Sequence, residues 1–368
     1  MIIPDVVRSV LAFLLVLGVL VFVHEMGHYL AARWRGVHVE AFSIGFGRPI
    51  TSWTDRLGTV WKLSWIPLGG YVKLHGQERP EDVSADVRAG WQDGRTFHEK
   101  SVLSRAIVVA AGPIANFLLA IIVFALLFGI VGRPESVPVI GDVLADGAAS
   151  HSTLQKGDRI TAINGTPTFK FEDIRRIVSA NPDAPLSLDI LRDGQAQTIA
   201  VTSGGQDVRG HRVGLLGVRG APGDFVKLGP LQAVGAGFTQ TWDVIAQTVD
   251  GFGQMLSGQR GSEELGGPLR IAQMSGQVAQ LGLTSLVSFI ALLSVNLGLI
   301  NLFPIPVLDG GHLVFYAVEA LRGRPLPPRA QEYGYRAGFA VLAGLFVFAT
   351  WNDLTHLGLF RWMTALIG

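Results

Sequence analysis

Val21-Phe22-Val23-His24-Glu25-Met26-Gly27-His28 closes the first long apolar run of the chain, and the reading of this stretch decides the fold. The run begins at about Leu11, so a helix through it carries His24, Glu25 and His28 within hydrocarbon, toward one end. His24 and His28 are four apart and share a helix face, one turn above the other. That is the geometry two imidazoles need to grip one zinc ion, with Glu25 beside them as general base. A chance match, with three polar groups lining a helix contact, is the alternative. Ionisable groups at bilayer depth are costly, which favours a functional site.

The bulk composition agrees with a membrane chain. Of 368 residues, 49% are hydrophobic and only 16% charged, and the apolar residues are clustered. That excludes an ordinary soluble domain, and a net charge of +1 gives no footprint for nucleic acid. The sequence has no cysteine, so a metal must be held by His, Asp, Glu or water. The N-terminal run passes through the histidines with no small-residue cleavage site before them, so it is expected to be retained.

Working outward, the first span covers about Leu11 to Ala32, roughly 33 Å of helix at 1.5 Å per residue. Arg33 and Arg35 follow at once, which places this end in the cytoplasm. Gly36 to Gly76 reads as β-hairpins at the membrane interface, with Trp53, Trp61 and Trp65, closed by Gly69-Gly70-Tyr71-Val72-Lys73. A soluble cytoplasmic hairpin is the other possibility for this stretch. An exposed strand edge there could hold an extended substrate by backbone hydrogen bonds. Gln77 to Gly94 is expected as a mobile polar loop. The second span, Ala106 to about Val131, contains Gly112, Pro113 and Asn116, which read as a packing and kink motif with Asn116 hydrogen-bonded inside the bundle.

Arg133 to Gly220 reads as a soluble α+β insertion, with short strands, one helix near Phe171 to Ala180, and turns at Asp146-Gly147, Asn164-Gly165 and Asp193-Gly194. Its segment Leu154 to Gly165 resembles the most recognisable part of a bacterial PDZ domain. Gly214, Leu215, Leu216, Gly217 and Val218 could then form the late peptide-binding loop, taking peptide ends by strand addition. Val234 to Leu256 is expected as an amphipathic helix lying on the membrane, with another short helix from Gly266. The third span, Thr284 to about Phe303, carries Asn296 and Asn301 and breaks at Pro304 and Pro306. Asp309 follows as the third zinc ligand, since two histidines need one more and catalysis needs a position for water. Arg322, Arg324, Arg329 and Arg336 make the next loop cytoplasmic, and a short fourth span covers Tyr335 to Trp351.

Together His24-Glu25-Met26-Gly27-His28, Gly112-Pro113, Asn116, the PDZ-like insertion and Asn301 through Gly311 resemble the site-2 proteases, intramembrane zinc metalloproteases, and among them the RseP-like regulators of sigma-factor signalling. The resemblance implies a polytopic α-helical membrane protein: four transmembrane helices, a membrane-associated β-hairpin region and an inserted α+β PDZ domain. Its segments would run 1–35, 36–105, 106–132, 133–220, 221–283, 284–320 and 321–368. It implies Zn2+ held by His24, His28 and Asp309, Glu25 as the base, and substrate contacts at Asn301, Asn296, Gly69 and Gly70. Substrates would be single-span membrane proteins shortened beforehand, such as an anti-sigma factor, or remnant signal peptides. The location implied is a bacterial inner membrane, with both termini and the PDZ domain on the outer side. The best-known relatives carry two tandem PDZ domains, whereas this chain has room for one. A membrane adaptor with a dead metal site and a zinc transporter are the rival readings. The intact ligand set opposes the first, and convergence of the ligands on one point opposes the second.

Overall fold

The computed structural model describes residues 2–78, 83–134, 137–208, 211–221, 223, 225–258, 261 and 266–356. Helix α1 spans Ile2–Trp34 and starts nine residues before the expected Leu11. The early start has a local cause: Asp5 lies in the first turn and pairs with Arg8 at 2.7 Å, and Arg8 Nε donates to Gly276 O at 3.3 Å. Strands β1 (Val39–Thr54) and β2 (Val60–Leu74) follow.

These two strands are not simple hairpins. The first half of β1 pairs on one side with Val60–Leu63 and on the other with Gly70–Leu74, and its second half folds back onto Val60–Ser64. Gly70–Leu74 is therefore an edge. The first half of β1 is buried, and Phe42 packs with Tyr29, Val37, Val39, Leu74 and Val108. The second half is exposed along with apolar Ile50, Trp53, Trp65 and Ile66, a surface suited to lipid rather than water.

A short α2 (Ala85–Ala89) lies in the segment expected to be mobile. The chain just after it is pinned: Gln92 N donates to His75 Nε2 at 2.9 Å, and Phe97 N to His75 O at 2.7 Å. Helix α3 covers Val102–Ile130 and contains Pro113.

The chain divides into two compact units, and Leu127–Pro230 forms the second. It comprises β3 (Arg133–Pro134), β4 (Ile140–Val143), a 3-10 turn, β5 (Arg159–Ile163), β6 (Thr166–Pro167), α4 (Phe171–Ser179), β7 (Pro185–Arg192), β8 (Gln195–Thr202), β9 (Gly204–Val208), β10 (His211–Leu215), β11 (Val218–Gly220) and β12 (Phe225–Val226). Strands β6-β5-β7-β8 make an antiparallel sheet, while β4 pairs with β11, β9 with β10 and β3 with β12. Alternate residues Leu186, Leu188 and Ile190 of β7 meet Ile174 and Val178 of α4 in one core. Leu216 is also in that core, so its side chain is not part of an open groove; only its backbone could meet a peptide.

The first unit resumes with α5 (Pro230–Leu256), α6 (Pro268–Gln280), α7 (Leu283–Asn301), α8 (Asp309–Arg322) and α9 (Pro328–His356). Among the described residues four helices are long and apolar enough to cross a membrane: Asp5–Trp34, Val102–Ile130, Leu283–Asn301 and Pro328–Thr355. Helix α9 begins seven residues before the expected Tyr335, with proline at its first position, where a missing N–H costs nothing. Helix α5 is not among the four. Helix α6 ties distant ends together: Asp353 of α9 accepts from Gly267 N (2.9 Å) and Arg270 N (3.0 Å) at its start, and Gly276 abuts Ser9 of α1. At the opposite ends, Arg35, just past α1, donates to Ser104 of α3 (2.7 Å) and Arg105 pairs with Glu319 of α8 (2.7 Å).

Candidate metal centre

Helical spacing brings His24 and His28 to one face of α1, with ring centroids 4.8 Å apart and Nε2 atoms 3.2 Å apart. The third group arrives by an abrupt turn. After α7 ends at Asn301, Pro304 and Pro306 forbid helix, and Val307 takes φ +109°, a strained conformation for a β-branched residue. The turn delivers Asp309 at the first position of α8, with Oδ2 3.1 Å from His24 Nε2 and 3.5 Å from His28 Nε2. A tetrahedral ion with ligand bonds of about 2.0–2.1 Å has ligand atoms about 3.3 Å apart. The observed spacings bracket that value.

The proton inventory also calls for a cation. His28 Nδ1 lies 2.9 Å from Val108 O, an acceptor only, so Nδ1 carries the proton and Nε2 a lone pair. That lone pair faces the other imidazole and the buried Oδ2 of Asp309, so groups able to give lone pairs converge on one point. His24, His28 and Asp309 are, among the described residues, the cluster able to hold a metal.

Helix α3 supplies the wall behind the histidines. Val108, Gly112 and Asn116 recur every fourth residue on one face. A Cβ on Gly112 would overlap the His28 ring and stand 2.9 Å from His24 Cε1. Gly112 is glycine because the imidazoles need that space. Asn116 Nδ2 lies 3.1 Å from His24 Nδ1. Asn116 thus belongs to the site, a placement that its reading as a packing residue did not give. The i, i+4, i+8 spacing was visible in the sequence, but which face of α3 meets α1 was not.

Glu25, His24, His28 and Asp309 open into a cavity of about 600 Å3, also lined by Gly70, Tyr71, Val72, Asn301, Tyr316 and Tyr335. A Cβ on Gly70 would lie 3.2 Å from Glu25 Cγ and 2.7 Å from Ser43 O, so the edge strand passes close beside the acid. Two expected substrate residues lie elsewhere. Asn296 Oδ1 accepts from Thr248 Oγ1 of α5 at 3.0 Å and lies outside the cavity lining, because it stands more than a helical turn before Asn301. Gly69 faces Phe46 (2.9 Å from an added Cβ), with φ +100° at the bend into the edge strand. In the second unit, Gly214 packs on Asn181 O and Val178 O, Leu215 is exposed, and Gly217 (φ +74°) abuts Gly147.

A His-Glu-x-x-His helix completed by a distant aspartate, in a chain with four membrane-length helices, defines the class: a metal-dependent hydrolase of membrane type. The model of peptidase family M50 matches residues 12–345, and the chain belongs to that family. It is 47% identical over 359 residues to a Rhizobium meliloti protein named "Putative zinc metalloprotease", covering 94% of this chain and 96% of that one. It is 38% identical to "Metalloprotease MmpA" of Caulobacter vibrioides (96% and 97% covered). It is 33% identical to "Regulator of sigma E protease" of Salmonella typhi (96% and 100% covered), in an alignment of 455 positions that exceeds this chain's 368 residues. A quarter of the chain aligns with the PDZ domain of a Listeria innocua SdrC-like protein at 12% identity and a TM-score of 0.21, too low to assign a fold. The chain is therefore a zinc metalloprotease, and the adaptor and transporter readings fall away.

Proposed function

We propose that this protease cuts a peptide bond within or beside the membrane-spanning segment of single-span proteins, from a bacterial inner membrane. The observation that carries the reading is the convergence, in one cavity, of the three-ligand cluster, Glu25 and the edge strand Gly70–Leu74, whose Val72 N–H donates to Glu25. His24, His28 and Asp309 are the metal ligands. A zinc ion held there would supply Lewis acidity, acidifying a water and polarising the scissile carbonyl. Glu25 accepts the water's proton and passes it to the leaving amine. Asn301, on the cavity wall, hydrogen-bonds the substrate backbone near the developing oxyanion. A helical substrate must unwind, since its peptide bonds are shielded by adjacent turns. Pairing with the Gly70–Leu74 edge holds it extended.

Arg33 and Arg35 at the C-terminal end of α1, and Arg322 and Arg324 beside Gly323, support a cytoplasmic side for those ends, with both termini and the Leu127–Pro230 unit outside. That unit, read as a single PDZ domain, meets external parts of the substrate or its newly exposed end. The substrate is an anti-sigma factor trimmed beforehand by another protease, a reading supported by the link to sigma E regulation in the name of the Salmonella typhi relative; remnant signal peptides fit the same site. The test is to incubate zinc-loaded protein with a panel of single-span substrates and map the cuts by mass spectrometry. Cuts within or at the edge of the spanning segments support the reading, whereas cuts confined to soluble loops would reject it.

A further inference from the structure

One buried group at the metal centre has a hydrogen-bonding pattern that does not suit its neighbour. Asn116 is 0% exposed, its Nδ2 points at His24 Nδ1 at 3.1 Å, and its Oδ1 is buried without a partner. An amide N–H only donates, so this contact requires a lone pair on His24 Nδ1. A neutral imidazole has one N–H, which would then sit on Nε2 and point at Asp309 and His28. An imidazole protonated on Nε2 cannot ligate through Nε2. The oxygen and nitrogen of an amide are interchangeable in shape, and either orientation leaves one of them without a partner here. The imidazole therefore decides between them.

We propose that Asn116 is a positioning residue of the metal centre, its side-chain carbonyl oxygen accepting from His24 Nδ1–H and so fixing the tautomer that presents Nε2 to zinc. The inference rests on the ligand set given above. It makes the two histidines equivalent: His28 is held through Nδ1–H by Val108 O, and His24 through Nδ1–H by Asn116, eight residues further along the same face of α3. The main chain at Asn116 is itself anchored from α7, where Ser294 Oγ donates to Asn116 O at 2.8 Å. Outer groups of this kind orient a ligating histidine and raise its basicity, and their loss weakens metal binding about 10–100-fold.

The experiment compares full-length wild type, Asn116→Leu, Asn116→Asp and His24→Ala in detergent, reading zinc affinity by chelator competition and folding by metal-free thermal unfolding. Asn116→Leu should lose about 10–100-fold in zinc affinity. Asn116→Asp should keep or tighten it, because a carboxylate oxygen accepts the same proton and cannot donate. A role in packing alone would not separate Asp from Leu. A folded Leu variant with wild-type affinity, or an Asp variant as weak as Leu, overturns the inference. If Asn116→Leu does not fold, the Asp variant decides alone: retained affinity supports the assignment, and lost affinity in a folded protein overturns it. His24→Ala reports on the ligand set separately, since undiminished zinc binding there would overturn the metal centre itself.

Discussion

At the scale of single residues, the centre depends on space as much as on ligands. Gly112→Ala adds a methyl group that must overlap the His28 ring, with His24 Cε1 2.9 Å away. Both rings and the backbone of α3 would have to shift, a change of the overpacking kind that costs roughly 1–3 kcal/mol. The expected outcome is weaker zinc binding at least tenfold, measured by metal content after chelator challenge. The three residues His24, Glu25 and His28 were legible because their geometry is local to one helix turn. Asp309 was legible only by counting ligands. Asn116 was not assigned to the metal, because its partner is set by the register of α1 on α3, in which Gly27 lies directly against Ala111. No periodicity within either helix encodes that register.

At the scale of elements, the edge strand is the part with a role to test. Along an antiparallel strand successive N–H groups point alternately to the partner strand and away from it. Val72 N–H points outward and meets Glu25, so proline at Val72 removes an outward N–H and proline at Tyr71 a ladder N–H. The outward substitution should raise KM about fivefold, near the worth of one hydrogen bond, at unchanged zinc content, whereas loss of the bond to Glu25 alone would lower kcat. The ladder substitution should lower protein stability. Equal cleavage by both variants at equal zinc content would deny the strand a part in substrate binding. The sequence showed extended segments here, yet not that the first half of β1 lies between two separate parts of β2, since such pairing depends on bulges that leave no simple alternation. Likewise, Pro304 and Pro306 announced a break, but the new helix starting at Asp309 emerged only in the structure.

At the scale of the whole molecule, topology and the second unit give two further expectations. The absence of native cysteines makes labelling clean. A cysteine introduced at Gln92 or Arg324 should be protected from an impermeant reagent added outside, and one at Asp193 should react; labelling at Arg324 would contradict the four-span arrangement. Within the second unit, Asp158 is buried and receives Arg192 Nε at 2.7 Å. Burial alone would raise its pKa, but the bonds from Arg192 and Gln155 N outweigh burial and hold the carboxyl below its ordinary range. Because the folded value is depressed, this stabilisation is complete above the unfolded value of about 3.9 and is lost as pH falls through the folded value. The protection of β5 and β7 amides against exchange, relative to the unstructured rate at the same pH, should fall below about pH 4 in wild type. In Asp158→Asn that protection should be low already at neutral pH. Strands β3 and β12 pair with each other and both lie outside Val137 to Arg219, so replacing that stretch by a short linker leaves their pairing in place. The truncated protein is expected to cut short substrates as before and to gain cutting of substrates with intact external domains.

The central claim, hydrolysis at a zinc site with Glu25 as the base, is tested most directly by Glu25→Gln. Zinc content and cleavage of one single-span substrate should be measured on the same preparation. A full complement of zinc with cleavage reduced by about 100- to 10,000-fold is the outcome expected of a lost general base. Cleavage at the wild-type rate by the zinc-loaded variant would contradict it.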